Sequence, residues 1–130
     1  MLARILVSCF ILFATGESVA CGCATPSDMF EAWQVHGLSG RGEVFHGKVS
    51  RYFGPKEVDV QVVESFAGSG GTKHLIGAPG PVDECGGEFS PGEEFIYLPT
   101  KENVIGYCSK LWVTPGTIER LRAIAKRSGK

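Results

Sequence analysis

The sequence lacks the motifs that identify most enzymes and nucleic-acid-binding proteins. Its 13 basic and 14 acidic residues leave a net charge of −1, so it presents no basic footprint for a nucleic acid or an anionic membrane. Its three histidines do not have the spacing of a His-Glu-x-x-His metal site, and no Gly-x-Ser-x-Gly nucleophile motif is present. The glycine-rich residues 68–71 lack the Lys-Ser/Thr of a phosphate loop. We therefore predict a protein that is not an enzyme, needs no cofactor and does not bind nucleic acid.

The sequence also lacks an apolar run of the roughly 20 residues that a transmembrane helix requires. Its longest apolar run, residues 5–13, follows Arg4 and precedes the small residues Ser18 and Ala20, which is the pattern of a secretory signal. We expect residues 1–20 to be a signal peptide and residues 21–130 to form one domain with one core. The mature protein is expected to be a secreted monomer, or a periplasmic one if its source is Gram-negative.

The cysteines are few in number, and their positions indicate disulfides. Of five cysteines, Cys9 would leave with the signal, and Cys21, Cys23, Cys85 and Cys108 would remain. An even number in a small exported chain is typical of a disulfide framework. The Cys-x-Cys spacing matches neither a redox motif nor a zinc ribbon, and a bond within that pair is sterically poor. Each of the first two is therefore expected to bond to one of the distant two, in either pairing.

Glycine and proline separate short segments with β character, as in all-β proteins. The clearest strand alternates valines, expected to point inward, with Glu57, Asp59 and Gln61, expected to point outward. Gly47 in the middle of another segment indicates a bulge or bend. The predicted strands cover residues 43–52, 57–66, 73–77, 93–98 and 104–112.

A helix is predicted at each end of the mature chain. The first is expected to follow Pro26, with Ser27 or Asp28 as its cap, and to end at Gly37 or Gly40. Its apolar surface would comprise Met29, Phe30, Ala32, Trp33 and Val35, with Phe30 and Trp33 in the core. The second would be capped by Thr114 or Thr117, with an apolar stripe of Ile118, Leu121, Ile124 and Ala125. Five strands with two helices predict a five-stranded OB-like Greek-key barrel, with a β-sandwich as the alternative.

An ordered set of short motifs resembles a known family. The motifs are Cys-x-Cys at 21–23, Phe-x-Gly-x-Val at 45–49, Phe-x-Gly at 66–68, Cys-Gly at 85–86, Gly-x-x-Phe-x-Tyr-Leu at 92–98, and Cys108 followed by a tryptophan and a helix. This order resembles the tissue inhibitors of metalloproteinases, within the netrin-like superfamily, in a single-domain form. The resemblance covers nearly the whole mature chain and implies the OB barrel proposed above.

The resemblance also implies a mechanism and a partner. It pairs Cys21 with Cys85 and Cys23 with Cys108; the family's third disulfide has no counterpart here. The α-amino and carbonyl groups of Cys21 would chelate the catalytic zinc of a metalloprotease, which is the implied partner, and displace its bound water. The implied protease-binding ridge comprises Cys21, Gly22, Cys23, Ala24, Val82, Asp83 and Glu84.

The chain departs from the family at two places in that ridge. The family usually has Ser or Thr as its second mature residue, and that side chain enters the protease's main specificity pocket, whereas Gly22 fills nothing. Asp83 and Glu84 place charge where the family usually has small or apolar residues. We therefore expect weak or narrow inhibition of matrix-type metalloproteases, improved by Gly22→Thr.

Two alternatives stay open at the level of sequence. The chain could be a secreted netrin-like binding or adhesion module with no inhibitory activity. It could also be a lipoprotein, and so bound to a membrane, because Cys21 directly follows the signal. The lipoprotein interpretation needs an apolar residue about three positions before Cys21, where Ser18 stands. Lipidation would consume the thiol and block the amine.

Overall fold

The structure, a computed structural model, describes residues 23–38, 42–81 and 86–128; the expected signal peptide lies outside them. This part of the chain is mostly β, with two flanking helices. The elements are α1 (Pro26–His36), β1 (Val44–Gly54), β2 (Glu57–Ala67), β3 (Thr72–Gly77), β4 (Glu94–Tyr97), β5 (Val104–Ile105), β6 (Lys110–Leu111) and α2 (Pro115–Arg127). The all-β class with a helix at each end is confirmed. Neither helix is long and apolar enough to cross a bilayer.

The strands form one curled, mixed sheet with the order β5-β3-β2-β1-β4-β6. All neighbouring pairs are antiparallel except β3 and β5, which run parallel. The long β1–β2 hairpin is the centre of this half-barrel. Its register shifts between His46 and Gly47, so the bulge predicted at Gly47 is confirmed. A Cβ at Gly47 would overlap the Val60 side chain, and only glycine therefore lets the two strands approach so closely.

The prediction of one continuous fifth strand is wrong. Residues 104–112 contain two strands of two residues each, β5 and β6, so the described sheet has six strands. A turn separates them, in which the Ser109 N–H donates to the Gly106 carbonyl (3.2 Å). The Gly106 N–H in turn donates to the Ser109 hydroxyl (3.2 Å). These local bonds compete with strand pairing and interrupt the ladder.

The cap of α1 is also not the predicted one. Thr25 is the N-cap, and its hydroxyl accepts a hydrogen bond from the Asp28 N–H (3.3 Å). Neither Ser27 nor Asp28 caps the helix, because Pro26 already occupies its first turn, where a missing N–H costs nothing. Gly37 ends α1 with a φ of 72°, as predicted.

At the other end of the chain, Thr114 caps α2 by accepting from the Thr117 N–H (3.2 Å), one of the two predicted possibilities. Of the predicted stripe, Leu121, Ile124 and Ala125 are buried. Ala32 and Val35, predicted as parts of the apolar surface of α1, are both exposed, Val35 by 76%. That prediction is wrong because α1 buries only the face that carries Phe30 and Trp33.

Two apolar clusters lie on opposite faces of the sheet, because successive side chains of a strand point to opposite sides. On β1, Val44 belongs to one cluster and Phe45 to the other; on β4, Ile96 and Tyr97 divide in the same way. The first cluster packs the sheet against the helices through Phe30, Trp33, Leu121 and Ile124. The second fills the concave side with Val49, Val58, Val60, Leu75 and Ile105. The inward valines predicted in β2 at 58 and 60 are confirmed.

Candidate functional site

The predicted ridge is only partly within the described residues. Cys23 and Ala24 are described, whereas Cys21, Gly22, Val82, Asp83, Glu84 and Cys85 lie outside. Cys23 is bonded to Cys108 with a Cα–Cα distance of 5.5 Å, so this implied disulfide is confirmed. The partner bond, Cys21–Cys85, stays a prediction.

The confirmed disulfide joins two local structures that are distant in sequence. Cys23 lies two residues before the α1 cap, Thr25, and Cys108 lies in the turn between β5 and β6. The bond closes a separation of 85 residues. It therefore attaches the start of the described chain to the edge of the sheet.

A groove of about 670 Å³ opens beside this disulfide. Cys23 and Ala24 line it together with Gly86, Gly87 and Glu88, which are separated from the second predicted ridge segment by one residue, Cys85. The remaining lining comes from α1 and its approach, from β4 to β6, and from the start of α2: Pro26, Met29, Phe95, Gly106, Tyr107, Cys108, Lys110, Leu111, Trp112, Thr114 and Thr117. The fold thus brings the residues that adjoin both halves of the predicted ridge to one concave surface.

Exposed aromatic rings form one wall of the groove. Trp112 is 76% exposed, and its ring centroid lies 5.1 Å from that of Phe95. Tyr107 is 47% exposed. Large aromatic side chains are enriched at the energetically important positions of protein interfaces. A concave surface with a free tryptophan face is chemically suited to holding an apolar segment of another protein.

A buried ionic network forms beneath that wall. The Lys110 ammonium lies 2.7 Å from the Glu93 carboxylate, whose side chain is only 7% exposed. The Tyr97 hydroxyl donates to the same carboxylate (2.9 Å), and the Ser90 N–H donates to its other oxygen (2.7 Å). Burial, together with the Glu93 charge, raises the pKa of Tyr97, which therefore stays a protonated donor. Every oxygen of the buried carboxylate is hydrogen-bonded, as such a charge requires.

Lys110 also fixes the aromatic side chains around it. Its ammonium lies 4.8 Å from the centroid of Phe89 and 5.0 Å from that of Phe95, within the range of cation–π attraction. It donates to the Glu88 carbonyl at 2.5 Å as well. One side chain therefore connects β6, the 88–95 segment and the aromatic wall.

Sequence reasoning did not single out Lys110, Glu93 or Trp112 as parts of a site. Five of the six residues 107–112 line the groove, but both faces of the segment contribute, so no alternating pattern marks the site in the sequence. The contact between Lys110 and Glu93 joins two segments 17 positions apart and leaves no local pattern.

A second surface with exposed aromatic rings lies at the far end of the β1–β2 hairpin. Tyr52 is 40% and Phe53 49% exposed. Arg51 lies 5.1 Å from the Phe53 centroid, and His74 packs edge-on against the same ring at 5.8 Å. We call these four residues the hairpin-end cluster.

His74 in this cluster contacts two carboxylates. Its Nδ1 lies 2.7 Å from Asp59, and its Nε2 lies 2.9 Å from Glu57. The hydrogen bond to Asp59, supported by the one to Glu57, raises the pKa of His74. Within the described residues, no group of three or more His, Cys, Asp and Glu side chains could hold a metal ion.

Comparison of the chain with protein-family models, with curated proteins and with solved structures gave no significant match. The functional interpretation therefore rests on the residues and contacts described above.

Proposed function

We propose that this protein is a secreted inhibitor of zinc metalloendopeptidases that resembles the tissue inhibitors of metalloproteinases. The supporting observation is the Cys23–Cys108 disulfide at the edge of the aromatic groove. It ties the chain to the sheet two residues after Cys21, whose amino and carbonyl groups would bind the protease's zinc.

The chemistry of a chain terminus suits this role. A catalytic zinc site keeps one position for water or substrate, and a neutral α-amino group can replace that water. The ordinary pKa of an α-amino group is near 8, so zinc can displace its proton at neutral pH. A donor attached to a disulfide-bonded segment loses less conformational entropy on binding than a free chain end does. The disulfide would therefore increase the affinity without contacting the metal.

The groove would supply the protein–protein contacts around that donor. Its lining combines the described ridge residues, Cys23 and Ala24, with the exposed ring of Trp112 and the segment 86–88. Interfaces of this kind take most of their binding energy from a few buried aromatic anchors. Because Gly22 offers no side chain to a specificity pocket, Trp112 and Tyr107 become the main candidate anchors.

The pairing of the strands supports the OB-type barrel within this proposal. The two outermost strands of the sheet, β5 and β6, are four residues apart in the chain. Counted as one interrupted strand, the segment pairs with β3 through β5 and with β4 through β6. In that interpretation the sheet would have five strands and close on itself, as a small Greek-key barrel does.

The test is an inhibition assay against a panel of zinc metalloproteases, with protein expressed through its own signal. Intact mass must show an unmodified amine at Cys21 and two disulfides, which also decides against the lipoprotein alternative. The matched control is the same chain with one alanine before Cys21. We expect inhibition by the processed form and none by the extended form. Equal activity of the two forms would contradict chelation.

A secreted binding module without inhibitory activity is the second candidate, because the exposure of Trp112 favours protein binding in general. Such a module would bind its partner equally well with or without the added alanine. Substitution of Trp112 would weaken that binding, and no member of the protease panel would be inhibited.

A further inference from the structure

Lys56 makes an unusual set of contacts outside the groove. It lies in the turn between β1 and β2, and its ammonium donates to three backbone carbonyls: Ala78 and Gly80 at 2.8 Å each and Gly87 at 2.6 Å. A lysine ammonium has three donors and no acceptor, so these carbonyls use its full capacity. Its backbone contributes as well, since the Lys56 carbonyl accepts from the Gly77 N–H (2.8 Å).

The three carbonyls belong to two chain segments that meet at this point. Residues 78–81 follow β3 in the chain, and residues 86–88 form a second wall of the groove, distinct from the aromatic one. The Gly87 N–H donates to the Ala78 carbonyl (3.2 Å), and the Gly86 N–H donates to the Pro81 carbonyl (3.0 Å). The Ala78 N–H donates to the Ile105 carbonyl (2.8 Å) of β5. The two segments are therefore bonded to each other and to the sheet.

The backbone at this junction is packed too closely for side chains. A Cβ at Gly86 would overlap the Gly80 carbonyl, and a Cβ at Gly87 would overlap the Ile105 carbonyl. Carbonyl dipoles that converge on one point repel each other unless a cation lies between them. The ammonium of Lys56 supplies that charge, and hydrogen bonds to a charged donor are stronger than neutral ones.

We propose that Lys56 is a positioning residue of the candidate site. Its ammonium holds the carbonyl of Gly87 and thereby sets the position of the groove wall formed by residues 86–88. Lys56 contacts no part of the partner in this account; it acts through the backbone. The effect on inhibition rests on the proposed function, whereas the effect on the wall does not.

The test compares Lys56→Met, which keeps the apolar stem and removes the charge, with Lys56→Arg. Lys48→Met, at an exposed lysine of β1, is the matched control. Backbone amide exchange is measured by NMR, together with the inhibition constant against a protease that the wild-type chain inhibits. In Lys56→Met we expect the amides of Gly86 and Gly87 to exchange at least about tenfold faster, because three charge-assisted bonds are lost. The amide chemical shifts should change at Gly86 and Gly87 and stay unchanged at Val60 in β2, which shows that the structural change is confined to this junction.

The inhibition constant should rise about tenfold in Lys56→Met, less in Lys56→Arg, and not at all in Lys48→Met. Unchanged exchange at Gly86 and Gly87 would overturn the proposal whatever the inhibition. Chemical-shift changes at Val60 as large as those at Gly86 and Gly87 would overturn it too, because Lys56 would then not act on this junction in particular. Faster local exchange with unchanged inhibition would show that residues 86–88 are not part of the binding site and would overturn the positioning role of Lys56. If the wild-type chain inhibits nothing, the proposed function fails, and the exchange rates alone still decide whether Lys56 holds the wall.

Discussion

The groove and the hairpin-end cluster both expose aromatic rings, yet they differ in how those rings are supported. Trp112 is 76% exposed in the groove, and Phe53 is 49% exposed at the hairpin end. The groove is concave, adjoins a disulfide and rests on a buried carboxylate. The Phe53 ring of the hairpin-end cluster contacts Arg51 and His74, and the ion pair between His74 and Glu57 is exposed. Exposure of an aromatic ring therefore does not by itself indicate a binding site. The disulfide and the buried carboxylate distinguish the groove from the hairpin-end cluster.

The ion pairs of the two regions show the same contrast. The side chain of Glu93 is 7% exposed, whereas Glu57 and His74 are 49% and 48% exposed. An exposed pair contributes little because water screens it. Removing one partner of a buried pair leaves an uncompensated charge and is strongly destabilising. Matched substitutions in the two regions should therefore have unequal effects.

Loss of the groove's disulfide should have the largest effect. The double substitution Cys23→Ser/Cys108→Ser removes the bond without leaving a free thiol from it. Because the bond closes a separation of 85 residues, we expect the free energy of unfolding in urea to fall by about 4 kcal/mol. Inhibition should be lost with it. A decrease below about 1 kcal/mol would mean that the disulfide does not constrain the unfolded chain as assumed.

Breaking the buried ion pair should come next. Lys110→Met leaves Glu93 buried without its cation, and we expect a loss of about 2–3 kcal/mol, since two hydrogen bonds to the carboxylate survive. The matched change at the hairpin end, Glu57→Gln, should cost less than about 1 kcal/mol. Chemical denaturation of both variants measures the difference. Equal decreases in the free energy of unfolding would show that burial does not distinguish the ion pairs of the two regions.

Truncation of the exposed rings should separate binding from stability. Trp112→Ala is expected to raise the inhibition constant about tenfold or more, as loss of an interface anchor does. Phe53→Ala should leave that constant unchanged. Since both rings are largely exposed, neither variant should unfold much more easily than the wild-type chain. A larger effect on inhibition from Phe53→Ala than from Trp112→Ala would move the binding surface to the hairpin end.

The smallest effect concerns pH at the hairpin end. Only an imidazolium can donate from both ring nitrogens, and the bond to Asp59 raises the pKa of His74 above its ordinary 6.5. This interaction therefore stabilises the fold fully below pH 6.5, and its contribution is lost as the pH rises through the folded-state pKa. His74→Gln should be less stable than the wild-type chain at about pH 6 and should approach it at about pH 8.5. A difference in the free energy of unfolding that stays constant across that pH range would contradict the stabilising role of protonated His74.

Local patterns in the sequence predicted much of the fold. The alternation of β2 places Val58 and Val60 in the core, and the bulge at Gly47 and the cap at Thr114 follow from local backbone chemistry. The interruption between β5 and β6 was not predicted. It depends on the Ser109 hydroxyl, which accepts a hydrogen bond from the Gly106 N–H in place of strand pairing. The residues alone left the disulfide pairing open, and the Cys23–Cys108 bond was implied by family resemblance.

The candidate site was less predictable than the fold. The pair formed by Lys110 and Glu93 and the three carbonyls around Lys56 connect residues that are far apart in the sequence. Periodicity reports which face of an element is buried, but it does not report which distant groups meet there. Such contacts follow from the tertiary fold, which places β6 beside β4 and brings residues 78–81 and 86–88 beside the turn of the β1–β2 hairpin.

The most direct test of the central claim is the inhibition constant of the processed chain beside that of the chain with one added N-terminal alanine. Both forms keep the groove, the disulfide and Trp112, but only the processed form has a free α-amine on Cys21, because the added alanine converts that nitrogen to a peptide amide. We predict inhibition by the first form and its loss in the second. Equal constants, or no inhibition by the processed form against any zinc metalloprotease tested, would contradict it.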